Sequence, residues 1–351
     1  MIRCLSNIVE LKDYYSLWAG LGGQDVLCVF QTYDWVELAW STCLSAVDGN
    51  RLYVLVWSQE NLSDVVVFPF YIDANGTLRL IMDEHSDMCD CIYKRGRNHH
   101  IAFKEAWEHI QSDKTIKRIL FSKLLPQSEL LNYFGSLIHS SCICPINSHS
   151  WIEVLPCDDF PASQPQLRSK DKANVRAIKR KADKYRLRVL SKATGDEYPQ
   201  FDIDTLVSEM KKRGWREPSF MTGCICDFCR GLYEREIAYI IELVASDENP
   251  VALNFILKLG SRRLSWIFLY SDCHSSTELY VKYFYSNTSS EPITFDFGTG
   301  GYEYKLGTFR PCMRLLFSLT VELEKIGKIK AALKSVVRAM KNFVKVIIGW
   351  F

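Results

Sequence analysis

Residues 52–57, 65–71 and 78–81 form closely spaced runs of valine, leucine and aromatic residues, broken by polar turns such as Asp73-Ala74-Asn75-Gly76. Runs of that length and composition predict strands, and their tight spacing makes an antiparallel meander the economical way to pair them. Residues 240–245, 251–259 and 264–270 impose the same demand in the second half, with a hairpin turn around 246–250. Further strand-like segments stand at 118–123, 151–155 and 293–297. Helical patterns are read over 101–110, from 127 after Pro126, over 203–213 up to Gly214, over 234–239 and over 277–285. Strands mixed with helices at this spacing predict an α/β chain.

A length of 351 residues and a hydrophobic content of 48% are enough to fill two modest cores. The segment 156–165, rich in proline, aspartate and serine, reads as the crossing between them. The expected division is therefore 1–160, 161–325 and a C-terminal segment 326–351. A formal charge of +2, from 43 basic and 41 acidic residues, gives no global field for holding nucleic acid, and no DNA partner is expected. Nothing near the start reads as a signal peptide and no uncharged run is long enough to cross a bilayer, so a cytoplasmic protein is expected, soluble or peripheral at the inner face of the membrane. The 13 cysteines then read as free thiols. Neither Cys142-Ile143-Cys144 nor Cys224-Ile225-Cys226-Asp227-Phe228-Cys229 has the ligand spacing of a zinc site, and no metal is expected.

Four stretches carry candidate chemistry. Residues 295–307 read as a strand, a glycine turn and a polar restart. Gly298 and Gly300 let backbone turn or approach a ligand, and Asp296, Glu303, Tyr304 and Lys305 surround the turn. A plain β-turn with solvated charges fits the same residues. Between two strand-like runs, residues 82–91 hold Asp83, His85, Asp87 and Asp90; they suit a polar pocket wall, and His85 can move a proton near neutral pH. Asp34 caps a helix in which Trp35 and Trp40 either anchor to a sheet or floor a ligand. Residues 167–184, including Lys170 and Arg176, form a basic helix whose charge must meet solvent or an anion such as a cofactor phosphate. The segment 326–351 combines lysines with apolar and aromatic residues and no acid, a pattern for a basic amphipathic helix at an anionic membrane or against protein.

The succession of Phe30-Gln31-Thr32-Tyr33-Asp34-Trp35, the 83–90 region, the basic helix, Phe295-Asp296-Phe297-Gly298-Thr299-Gly300 and Tyr304-Lys305 resembles the BioF2-like or CelD/BcsL-like acyltransferases of the GNAT superfamily. These in turn resemble the double-GNAT Fem aminoacyltransferases, and the resemblance covers approximately residues 25–310. It implies two tandem GNAT-like domains with mixed central sheets and flanking helices. It also implies transfer of an acyl group from acyl-CoA, commonly acetyl-CoA, to an amine or hydroxyl of a sugar nucleotide, lipid-linked sugar or polysaccharide precursor. On that reading Asp296, His85 and Glu303 are candidate proton acceptors, and Tyr304 is the candidate donor to the leaving thiolate. Trp35, Asp83, Asp87 and Lys305 would face the substrate, and Lys170, Arg176, Gly298 and Gly300 the acyl-CoA cosubstrate. The family commonly has an acidic pair where this chain has Gly301-Tyr302, and the charge is displaced to Glu303. That departure keeps open a noncatalytic glycan-binding or scaffold protein. The Fem likeness keeps open an aminoacyl-tRNA donor, and a homo-oligomer is compatible with either.

Overall fold

The computed structural model describes the chain apart from residues 20, 22–28, 60–63, 94–98, 138–140, 215–220, 222, 273–274, 288–290, 301 and 324–351, and apart from the side chains of 99, 137, 303 and 304. The segment 326–351, expected to be amphipathic, lies outside the described residues. Two compact units emerge, Met1–Ser148 with the described chain from Arg314, and His149–Met313. The division falls before the expected 160, and residues 314–323 belong with the first unit. The physical reason is strand pairing: the chain from His149 pairs with a strand of the second unit, and the chain from Arg314 pairs with a strand of the first.

The first unit runs β1 (Ile2–Leu5), α1 (Ile8–Asp13), α2 (Tyr15–Ala19), α3 (Tyr33–Thr42), β2 (Arg51–Ser58), β3 (Val65–Ile72), β4 (Thr77–Leu80), β5 (Ile92–Tyr93), α4 (His99–Ser112), β6 (Arg118–Leu124), α5 (Glu129–Leu137) and the start of β7 (Ser141–Val154). Strands β2 to β4 form the expected antiparallel meander, β1 joins it beside β2, and β6 lies parallel to β4. Every residue of β3 is buried, as an inner strand covered on both faces requires. Its Pro69 sits between the stretch of β3 paired to β5 and the stretch paired to β4, where the missing N–H interrupts neither ladder. Phe68, Phe70, Phe103, Phe121 and Phe134 fill the core, Phe70 stacking on Phe121 at 4.9 Å.

The second unit runs from the rest of β7 through α6 (Ser169–Ala182), β8 (Arg186–Leu190), α7 (Gln200–Lys212), α8 (Cys224–Glu234), β9 (Ala238–Val244), β10 (Pro250–Leu259), β11 (Arg262–Tyr270), α9 (Ser275–Ser286), β12 (Ile293–Thr299) and α10 (Glu303–Phe309) to β13 (Cys312–Glu322). The helix expected over 234–239 instead ends at Glu234, because Glu236 takes a left-handed φ of 60° that turns the chain into β9. The basic helix appears as α6 and buries only Asp171, Val175 and Ala182. Tyr280, Phe284, Phe295, Phe297 and Phe309 interlock as the core of this unit.

The same topology occurs twice. Each unit has an antiparallel run (β1 to β4, β8 to β11), a crossover helix (α4, α9), a parallel strand (β6, β12) and a closing antiparallel strand. In the first unit the closing strand is β13, the last of the described chain; in the second it is the 149–154 part of β7. Both closing pairs carry the same bulge. Trp151 and His149 face Asp296 and Thr299, and Leu319 and Phe317 face Phe121 and Leu124, so three steps on the parallel strand match two on its partner. The result is an α/β fold with mixed sheets and flanking helices.

Candidate active site

The bulge in β12 organises the chemistry of the second unit. Three residues against two leave Phe297 and Gly298 without opposite partners, and Gly298 adopts φ 72°, a conformation that a Cβ would strain. The turned backbone aims the Gly298 N–H at its own strand's acid, donating to Asp296 Oδ1 at 2.8 Å. The other carboxylate oxygen, Oδ2, lies 2.5 Å from His149 Nε2 on β7. Asp296 is 5% exposed and His149 1%. Two residues along the same strand face, Trp151 stacks on the imidazole at 5.7 Å and 22°. A buried carboxylate paired to one ring nitrogen fixes the orientation of a histidine and selects which nitrogen is basic.

Lys305 closes the loop from below. Its Nζ donates to Phe297 O at 2.6 Å and Thr299 O at 3.3 Å, the residue is 3% exposed, and the ammonium stands 4.8 Å over the Tyr302 ring. Gly300, at φ 99°, lies under the same ring, where a Cβ would come within 2.6 Å of it. The C-terminal end of α10 is tied to α6 by Arg310, whose Nε donates at 2.6 Å to the buried Asp171; that carboxylate also accepts the Arg168 backbone N–H at 3.1 Å and caps α6.

Beside this loop the sheet parts. β11 and β12 pair in parallel only over Arg262–Leu264 and Thr294–Asp296. Beyond that point β11 stays with β10 as far as Tyr270 and β12 with β7 as far as Thr299. A second irregularity, at Trp266, sets β11 out of step with β10 just past the parting. Two diverging parallel strands offer edge N–H and C=O groups that a linear, amide-bearing ligand can pair with as an added strand would.

The structure thus gathers Asp296, Gly298, Gly300 and Lys305 into one loop and adds His149, which the sequence reading passed over. The signal available was the polar run Ser148-His149-Ser150 leading into a strand. Glu303 and Tyr304 open α10, and their side chains lie outside the described residues. Lys170 is exposed on α6, and Arg176, also exposed, holds Asp159 at 2.5 Å. Trp35 is fully buried edge-on to Phe30 at 4.7 Å, a packing role in the first unit.

Asp83, His85 and Asp87 also belong to the first unit, where register places Phe121 at the counterpart of Asp296 and Phe317 at that of His149. The counterpart of Gly298 is Lys123, at φ 58°, whose Nζ is bound to Glu84 O and Ser86 O. Asp83, 1% exposed, accepts from Arg79 at 3.1 and 3.3 Å and from Ser122 at 3.1 Å. The acidic segment is therefore strapped onto the sheet by its own neighbours. His85 is half-buried, and that burial lowers its pKa.

Asp90, at the end of this segment, is fully enclosed and accepts the Cys91 N–H at 2.8 Å; burial pushes its carboxyl up to about 7. The unfolded carboxyl ionises near about 3.9. Below about pH 4 both states hold the proton; from about pH 4 to 7 only the unfolded chain releases it, so stability falls across that window and then levels. Asp90→Asn, which mimics the protonated acid, should match the parent at about pH 4 and exceed it by ~2–4 kcal/mol at about pH 7.5, read from urea midpoints at each pH.

Among the described residues no group of three or more histidines, cysteines, aspartates or glutamates is placed to hold a metal ion, and no helix is long and apolar enough to cross a membrane.

No protein-family model matches the chain, and no curated protein does. Solved structures do. L-PGS from Bacillus licheniformis superposes with a TM-score of 0.56 at 11% identity, over 95% of this chain and 96% of that one. A conserved protein of unknown function from Bacteroides thetaiotaomicron gives 0.59 at 11% identity, over 91% and 100%. FemX gives 0.50 at 10% identity, over 94% and 100%. At these identities the likeness is one of fold alone, and it runs nearly the full length of L-PGS and of FemX.

Proposed function

We propose that this protein is an acyltransferase of two tandem GNAT-like domains, akin to the BioF2-like or CelD/BcsL-like enzymes, with its chemistry in the second domain. The observation that carries the reading is the parting of β11 from β12 beside the His149–Asp296 pair. The amide-bearing arm of acyl-CoA would lie along the open strand edges, with its thioester toward the glycine loop. An amine or hydroxyl of a sugar-containing acceptor attacks the thioester carbonyl carbon, the C–S bond breaks, and the attacking atom's proton passes to His149. Asp296 holds the ring at Nε2 and would stabilise the imidazolium that forms. Because the ring is 1% exposed, the acceptor reaches it through a shift of the loop, for which Gly298 and Gly300 at positive φ supply the hinge. The departing thiolate takes a proton from solvent or from Tyr304 at the head of α10.

The first domain has phenylalanines at the places of both polar partners, which supports a binding or structural role for it. A basic surface on α6, including Lys170, suits the phosphates of the donor or of a lipid-linked acceptor, and 326–351 would add an anionic-membrane contact. The likeness to FemX favours one second reading, an aminoacyl-tRNA donor.

Calorimetric titration of the full chain with a hydrolysis-resistant acyl-CoA analogue and, separately, with a non-hydrolysable aminoacyl-tRNA decides between donors. Saturable binding of the CoA analogue, with transfer from acetyl-CoA to an amino-sugar acceptor, is the expected result. Binding of the tRNA alone would transfer the site to the second reading. Glycan binding with neither donor bound would make the protein a noncatalytic module.

A further inference from the structure

Cys142 and Cys144 stand two residues apart on β7, so their side chains leave the same face of the strand. Their sulfurs are 3.2 Å apart. Two strand steps set the Cα atoms roughly 6.6 Å apart, inside the ~4.4–6.8 Å range from which a disulfide closes. The opposite face is held separately: Gly135 of α5 has no Cβ, and one placed there would stand 2.6 Å from Ile143 Cδ1. A disulfide draws its two Cβ atoms to ~3.5–4.5 Å, so closure rotates both side chains and bends the strand locally, leaving a strained bond. The two thiols differ in access, Cys142 being half-buried and Cys144 buried at 7% exposure.

We propose that Cys142 and Cys144 form a modification site, a dithiol that closes into an intrastrand disulfide with a low-molecular-weight disulfide as oxidant. The Cys142 thiolate attacks one sulfur of the small disulfide, forming a mixed disulfide and expelling the first small thiol. Cys144, as thiolate, then attacks the Cys142 sulfur, forming the protein disulfide and expelling the second. Two electrons pass from the protein pair to the oxidant, and the two thiol protons end on the two small thiols or in solvent. The order follows from access, since an oxidant reaches Cys142 before the enclosed Cys144. A disulfide closed at the long end of the Cα range is readily reduced again, as a reversible modification requires.

The test treats the folded full chain with oxidised glutathione and samples it once exposed Cys312 has reacted, as internal control. After alkylation of free thiols, peptide mass mapping reads the segment that carries both cysteines. The expected result is a peptide without alkyl groups or glutathione, two hydrogens lighter than the dithiol and restored by dithiothreitol. Cys144→Ser should stop at a glutathione adduct on Cys142, and Cys142→Ser should give no closure. A wild-type peptide with both thiols still alkylated, one carrying a persistent glutathione adduct, or Cys142 joined to a different cysteine would each overturn the proposal. The wild-type map decides by itself should either variant fail to fold.

Discussion

His149→Gln is expected to lower kcat by roughly 10²–10⁴-fold while leaving KM for the acyl donor near its parent value, as the proposed role of the imidazole in proton transfer and not in donor binding requires. Asp296→Asn should cost a comparable factor by a different route. An asparagine can still accept the Gly298 N–H through its carbonyl oxygen, now with an amide nitrogen facing the ring at the present 2.5 Å position of Oδ2. An amide there carries no charge to stabilise an imidazolium, which weakens the ring as the proposed proton acceptor. Residues that act as one unit are not additive, so the double variant should be no slower than the worse single one. Steady-state rates at saturating donor, with circular dichroism to establish folding, check all three. A folded Asp296→Asn protein with full transfer activity would remove the pair from the mechanism.

Lys305→Met carries the second large expectation, this time on stability. The ammonium is 3% exposed and serves two backbone carbonyls of the bulged strand, Phe297 O and Thr299 O. Hydrogen bonds from a charged donor contribute about 1.5–3 kcal/mol, and losing the donor removes the bonds to the buried Phe297 O and the part-buried Thr299 O. Methionine fills most of the stem's volume but supplies no donor. A loss of about 2–4 kcal/mol is expected, seen as a lower urea midpoint with little change in slope. An unchanged midpoint would mean that water reaches those carbonyls and that the lysine does not hold the loop. The role differs from the substrate contact expected from sequence, and the reason is reach: from the first turns of α10 the side chain runs back beneath the loop it follows.

The meander runs, the helix over 277–285 and the strand at 293–297 were legible because each pairs a clear periodicity with turn residues at its ends. β1, β8 and β13 lie outside the expected strands. β8 alternates charged with apolar residues, Arg186-Leu187-Arg188-Val189-Leu190, and looks like the end of a basic helix until β9 is present to pair with it. β13 carries its pattern, but its partner β6 lies almost two hundred residues earlier, and a local reading has no access to that distance.

The α/β class and a glycine loop around Asp296 are legible locally, since they follow from composition and from the freedom that glycine gives a backbone. Which groups meet at that loop depends on pairing across the sheet. His149 comes to Asp296 from 147 residues away because β7 closes the second unit's sheet, and register sets a phenylalanine at the matching place in the first. Strand exchange and a bulge are properties of pairing across the sheet, and no single stretch of chain encodes them within its own length.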